Sequence, residues 1–152
     1  MLSRRQFVAK HWALAVEVGT PFGLSPVAML AHALKESGAG NVRAAARHNY
    51  FGFLKGGKHL VYASDRAGFT AYARRLAKTW PAAVRLSHDG DAFAARIAFS
   101  ANPSYVNESP AARQVYADRL AKIYRAVAAD VAHLGLDSPP LATAASSDND
   151  VM

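Results

Sequence analysis

Apolar residues recur three and four positions apart along most of this chain, the spacing of a helix with one buried face. Phe7, Ala9, Ala13, Leu14 and Val18 predict a first amphipathic helix over about 4–19. Thr20-Pro21-Phe22-Gly23 reads as a turn. Ser25 then offers a side-chain cap, and Pro26 suits the first helical position. Val27, Leu30, Ala31 and Leu34 make a second apolar stripe, and Gly38 and Gly40 stop it, because glycine takes left-handed backbone angles at little cost. A short helical segment over 42–47 follows. The pattern changes at two apolar runs, 51–54 and 60–62, which flank Lys55-Gly56-Gly57-Lys58. Together they predict one small hairpin, the only strand signal in the sequence.

Ser64 is placed to cap a helix that runs to about Trp80, with Phe69, Tyr72, Ala73 and Leu76 on one face. Pro81 breaks it, and a short helix to Leu86 follows. A further helix is predicted to start at Asp91, to turn Phe93, Ala94 and Ile97 inward, and to end near Ser100. Asn102-Pro103-Ser104-Tyr105 reads as a loop. Ser109-Pro110 opens the last helix, with Val115, Leu120, Ile123, Tyr124, Val127 and Val131 as apolar positions and an end near Leu134 and Gly135. The expectation is an all-α single domain over 1–136, with six or seven helices and one very small β-hairpin. From 137 to 152, Pro, Ala, Ser and Asp replace the periodicity, and the sequence reads as a disordered tail.

A chain of 152 residues, 51% of them hydrophobic, is long enough for one real core. It holds no run of about 18 apolar residues, so membrane insertion is not expected. The net charge of +7 predicts attraction to a polyanion. Nucleic acid is not the expected partner, because no tight turn precedes a recognition helix rich in Arg, Asn and Gln. Cysteine is absent, so no disulfide framework exists. Ser3-Arg4-Arg5-Gln6-Phe7 looks like a twin-arginine export signal. However, His11 and Glu17 interrupt the apolar stretch behind it, and no small-residue cleavage site precedes the second helix. The stretch therefore reads as helix, and the export route stays open.

Glu36 is the candidate for chemistry. It falls in the last turn of a mostly apolar helix, where the negative end of the helix dipole disfavours its charge. Dipole and partial burial together predict a raised pKa, which suits a proton donor. The plainer alternative is a solvated Glu at a helix end. His32 lies one turn earlier on the same face, and His48 follows downstream. Their spacing is not that of a zinc helix and no Cys completes a set, so no metal and no other cofactor are expected, and hydrogen bonding is the use predicted for His32.

Four segments carry a family resemblance. Ala31-His32-Ala33-Leu34-Lys35-Glu36-Ser37-Gly38-Ala39-Gly40 resembles the AQA-x-x-ESG-x-G signature of the glucosaminidases of glycoside hydrolase family 73, peptidoglycan hydrolases of the flagellar and autolysin type. Asn49-Tyr50-Phe51-Gly52-Phe53 resembles that family's N-L-F-G-I segment. Val61-Tyr62-Ala63-Ser64, with Phe69 and Tyr72 behind it, is similar to its Y-x-S…S-F-x-D-Y segment. Phe99-Ser100-Ala101-Asn102-Pro103-Ser104-Tyr105 is similar to its Y-A-T-D-P-x-Y loop. The four stand in order over about 5–130.

The resemblance implies a lysozyme-like helical fold with a cleft between a main and a small lobe. It also implies Glu36 as the general acid that protonates the glycosidic oxygen of a β-1,4 bond after N-acetylglucosamine. Asn49 would bind sugar or orient the cleft, Tyr50 and Phe51 would wall it, and Tyr105 matches a family tyrosine. Phe53 reads as core. Two departures stand out. The hairpin that often carries a second carboxylate is trimmed to Lys55-Gly56-Gly57-Lys58, which leaves Asp65 as the nearest second acid, although a helix start suits an Asp without catalysis. Phe99 replaces a family tyrosine. Without a second acid, assistance by the substrate's 2-acetamido group remains open. The expected partner is the glycan strand of peptidoglycan, met in the periplasm or outside the cell, by a monomer. The alternatives are muramidase or lytic transglycosylase action on the same polymer, or a non-catalytic wall-binding module.

Overall fold

The structure is a computed structural model and describes residues 2–136; the predicted tail over 137–152 lies outside the described residues. It is all-α with one small hairpin. Seven α-helices run in the order α1 Arg4–Gly19, α2 Pro26–Ser37, α3 Val42–Arg47, α4 Asp65–Thr79, α5 Pro81–Arg85, α6 Gly90–Ala98 and α7 Pro110–His133. A single 3-10 turn, Thr20–Phe22, joins α1 to α2. Strands β1 Leu54–Lys55 and β2 Lys58–His59 pair antiparallel between α3 and α4.

The helices start where short polar side chains precede the apolar periods. The hydroxyls of Ser3, Ser25, Ser64 and Ser109 each accept a backbone N–H of the first turn that follows. Ser3 and Gln6 cap each other reciprocally. Asp89 does the same for α6 by accepting from the Ala92 N–H, so α6 begins at Gly90, one residue before the predicted start, and Asp91 sits in its first turn. The hairpin is smaller than the apolar runs suggest. Only two residues on each side pair, and all four are exposed. Phe51 and Phe53 leave the ladder to join the core.

Helix α2 lies at the centre. Ala28, Met29, Leu30, Ala31, His32 and Ala33 have no exposed surface, so it is covered all round rather than along a stripe. α1 packs on one side of it and α7 on another, while α4 packs against α1 and α6 against α7. Gly68 lets α4 approach closely: a Cβ there would stand 2.0 Å from the His48 carbonyl oxygen. That contact seats α4 against the segment that leads into the cleft. Val115, predicted to face inward, is 49% exposed. No single helix among the described residues is long and apolar enough to cross a membrane.

The two ends of the described chain are tied by charge. Asp130 of α7 is fully buried and accepts from Arg4 Nε at 2.6 Å and from Arg5 Nε at 3.2 Å. The Arg4 hydrogen bond is the largest influence on its carboxyl, which is held below the usual Asp range. Both arginines of the signal-like motif thus serve the packing of α1 on α7. A depressed folded pKa means stabilisation that is present at neutral pH and is lost as pH falls through that pKa. Arg4→Ala together with Arg5→Ala would leave a buried carboxylate without partners, and we expect a loss of about 3 kcal/mol at pH 7. The deficit should shrink as the pH is lowered toward Asp protonation, because a neutral carboxyl needs no arginine. Urea denaturation at several pH values measures this, and an equal deficit at all of them would contradict it.

Candidate active site

Glu36 is held by the way α2 ends. Gly38 takes a left-handed conformation, φ 57°, and stops the helix. The Ser37 hydroxyl donates to the Ala33 carbonyl at 2.6 Å and accepts from the Gly40 N–H at 2.8 Å. Asn41 donates to the Ser37 carbonyl at 2.7 Å and caps α3 by accepting from Ala44. The turn after Glu36 is therefore braced at each peptide, and the Glu36 side chain has a fixed base.

It opens on a cleft of about 390 Å³. Phe51, Gly52 and Phe53 form one wall. Arg75 and Trp80, from α4 and its end, form a second, and 104–108 with Tyr116 of α7 close the third. The Arg75 guanidinium lies 4.7 Å from the Phe53 ring centroid and 5.9 Å from that of Trp80. The 104–108 wall is fastened by Trp80, which donates to the Pro103 carbonyl at 2.9 Å, and by Arg113, which reaches the Ser100 carbonyl and the Ser104 hydroxyl.

The two oxygens of Glu36 differ. Oε2 accepts from the Tyr116 hydroxyl in a very short contact and lies 3.7 Å from His32 Nε2. Oε1 makes no hydrogen bond among the described residues, and a Cβ at Gly52 would stand 3.9 Å from it. His32, fully buried, is held at both ring nitrogens: Nε2 is 2.8 Å from the Tyr116 oxygen and Nδ1 is 2.6 Å from that of Tyr72. Lys35 Nζ stands 4.1 Å over the Tyr116 ring.

This environment corrects the expectation of a raised pKa at Glu36. Burial does push it up and is the largest single influence. The His32 and Tyr116 contacts and the Lys35 charge together outweigh it, so the carboxyl is held below the ordinary Glu value. Burial and the Glu36 charge push the Tyr105 and Tyr116 phenols strongly upward, so both stay neutral.

The structure brings only some of the predicted residues together. Glu36, Phe51 and Tyr105 line the cleft. The Tyr105 hydroxyl is buried with no hydrogen-bond partner. Asn49 does not reach the cleft. Its amide donates to the Phe53 and Leu60 carbonyls at 2.9 Å each and accepts from the Phe53 N–H, so it shapes the wall rather than offering itself to a ligand. Tyr50 and Asp65 belong to another cluster. The Tyr50 hydroxyl donates to Asp65 Oδ1 at 3.1 Å, and His48 Nδ1 lies 2.7 Å from the same oxygen. His11 Nδ1 stands 3.9 Å from Asp65 Oδ2. Neither Tyr50 nor Asp65 lines the cleft of Glu36, because Asp65 starts α4 while the cleft lies along its later turns. Phe99 caps α6 beside Leu86 and Arg96, also outside the cleft. Phe53 lies in the core, as expected, and also lines the cleft.

Sequence reasoning missed Tyr116, Arg75, Trp80 and Glu108, all of which line the cleft. One signal was present: Tyr116, Leu120 and Tyr124 form an i, i+4, i+8 row, the spacing of one helix face. Glu108, in the loop before α7, carries no periodic signal. Among the described residues no group of three or more His, Cys, Asp or Glu side chains is arranged to hold a metal ion. Compared with known proteins, the chain matches no family model, no curated protein and no solved structure.

The Tyr116 hydroxyl stabilises the ionised form of Glu36. Tyr116→Phe should therefore raise the Glu36 pKa, read from the side-chain carboxyl carbon in an NMR titration. An unmoved or lower value would mean that Lys35 and His32 alone set it.

Proposed function

We propose that this chain is a peptidoglycan hydrolase, a glycosidase acting on the β-1,4 bond that follows N-acetylglucosamine, with Glu36 as general acid. One observation carries the reading. Glu36, at the floor of an aromatic cleft, has one oxygen tied to Tyr116 and the other on the Gly52 side of the cleft, without a hydrogen bond among the described residues. A general acid needs that division: one oxygen anchors the group, and the other delivers the proton to the leaving oxygen. The resemblance of the Glu36, Asn49–Phe53 and Tyr105 segments to family 73 glucosaminidases supports the same assignment.

The wall residues suit a glycan. Phe51, Trp80 and Tyr105 offer aromatic surface to sugar rings, and Ser104 and Asn107 offer polar groups to hydroxyls and acetamides. Asp65 lines no part of this cleft, so the carboxylate that accompanies Glu36 is Glu108 on the opposite loop. A water activated by Glu108, or the substrate's own acetamido oxygen, then completes hydrolysis. Transglycosylation needs neither, and an anhydro sugar end would mark it. The basic surface, with a net charge of +7, favours encounter with an anionic wall.

Incubation with purified peptidoglycan tests the reading. The wild type should release reducible N-acetylglucosamine ends, and Glu36→Gln, folded to the same extent, should be slower by about 10²–10⁴-fold. Binding to sacculi without release by either form would leave a wall-binding module instead. The pH dependence has a definite sign. A general acid works while protonated, so activity falls as pH rises through its pKa. The lowered pKa of free Glu36 places that limb of kcat/KM on the acid side, and substrate that excludes water should shift the limb of kcat to higher pH.

Arg75 supports an anionic substrate. It is the one cation among the residues lining the cleft, its guanidinium is held over two rings, and it has no carboxylate partner among the described residues. A lactyl or peptide carboxylate of the wall polymer matches it. Arg75→Leu should lower kcat/KM on peptidoglycan by about tenfold, the value of one charge-assisted hydrogen bond. Turnover of neutral chitin oligosaccharides should be little changed. Equal losses on both would assign Arg75 to packing of Phe53 and Trp80.

A further inference from the structure

Glu36 ends a chain of four side chains from three helices. Tyr72 of α4 meets His32 Nδ1 at 2.6 Å, His32 Nε2 meets the Tyr116 oxygen at 2.8 Å, and Tyr116 of α7 meets Glu36 Oε2. Each phenol brings one proton, and a neutral imidazole brings one. With the ring neutral, the chain can therefore run in only two directions; a doubly protonated ring would, like the second of these, put an Nδ1–H onto Tyr72. In the first, Tyr72 donates to a bare Nδ1, the Nε2–H donates to Tyr116, and Tyr116 donates to Oε2. In the second, Oε2–H donates to Tyr116, Tyr116 donates to a bare Nε2, and the Nδ1–H donates to Tyr72.

The far end decides between them. Tyr72 has no exposed surface, and its hydroxyl has no other hydrogen-bond partner among the described residues. In the second direction its own proton would be left buried and unpaired. That is costlier than an unused lone pair, which is all the first direction leaves there.

We infer that Tyr72 and His32 lock this chain in the first direction, so that Glu36 Oε2 is always an acceptor and the proton that Glu36 transfers is carried on Oε1, the oxygen facing the cleft. The inference rests on the reading of Glu36 as a general acid. His32 is then a positioning residue. It touches no substrate; it fixes the hydroxyl of Tyr116, and Tyr116 fixes which carboxyl oxygen holds the proton. No net proton transfer along the chain is required. Glu36 loses its proton from Oε1 to the leaving oxygen and regains one there from water.

The titratable and charged groups that face this chain are Lys35 from α2, Tyr105 and Glu108 from the loop before α7, and Arg75 from α4. None of them is a hydrogen-bond partner of His32, so titrating them does not by itself turn the ring.

Nitrogen-15 NMR of the histidine rings tests the lock without needing any activity. The expected spectrum shows His32 as the neutral Nε2–H form, unchanged while Glu36 is titrated. An Nδ1–H form, a doubly protonated ring, or an exchange between forms that follows Glu36 would overturn the inference. The His32 signal is identified by its loss in His32→Gln. That variant has a second use. A glutamine amide can donate to Tyr116 and accept from Tyr72, which keeps the same direction with no tautomer to choose. His32→Gln should therefore keep kcat within about threefold, whereas His32→Leu, which cannot donate, should lose about tenfold or more in kcat with little change in KM, the size of one charge-linked hydrogen bond. Equal losses in both variants would reduce His32 to packing. If the wild type cleaves no wall polymer while the ring is the fixed Nε2–H form, the lock stands and the catalytic reading fails.

Discussion

Burial of α2 from Ala28 to Leu34 is the constraint from which the rest follows. A helix covered on every side must be apolar on every side, and Pro26 to Leu34 meet that demand except at His32. A buried imidazole must find partners for both nitrogens, since each unmet one would cost stability. Tyr72 and Tyr116 supply them from opposite sides. The same histidine thus ties α4 and α7 to the central helix. One turn further on, the covering ends and Glu36 meets the cleft. The position of the acid and the packing of the core are one arrangement.

Most of the helix plan was legible because it is written locally. Ser25, Ser64 and Ser109 cap, Pro81 breaks, Gly38 stops, and each acts within one turn of itself. The site was less legible because its decisive contacts are long-range. Tyr116 lies eighty positions from Glu36 in sequence, and nothing beside either residue announces the pairing. Asn49 shows the reverse error. An amide next to aromatic residues suggests a ligand, yet the turn that leads to the hairpin leaves two carbonyls in need of donors, and the amide satisfies both. The pKa of Glu36 was misjudged for the same reason: dipole and burial can be read from a helix, whereas a phenol from α7 cannot.

Asp65 illustrates how a carboxylate can look catalytic and act as a joint. It gathers Tyr50 and His48, with His11 of α1 nearby, at the start of α4. Phe7, His11, Tyr50 and Phe69 pack their rings against one another. This cluster holds α1, the end of α3 and the start of α4 together. It therefore sets the register of 49–53, and through it the wall formed by Phe51 and Phe53. Its link to the cleft is mechanical.

The direction in which Glu36 is tuned follows from the groups that touch it. Two carboxylates at close range cannot both ionise, and one is pushed upward. Here the groups that act on Glu36 are the Tyr116 phenol, a histidine and Lys35. The phenols stay neutral because burial and the carboxylate itself oppose their ionisation. Tyr116 donates its hydrogen bond without adding negative charge, and so it favours the anion. A cleft built in this way holds its acid ionised until something displaces water from it. In the proposed reaction a bound sugar ring would do that: it would take away solvation from Oε1 while leaving the Tyr116 contact to Oε2 untouched. Burial, already the largest influence on this carboxyl, then gains against the contacts that oppose it. On that proposal, occupancy of the cleft is the condition that arms the acid.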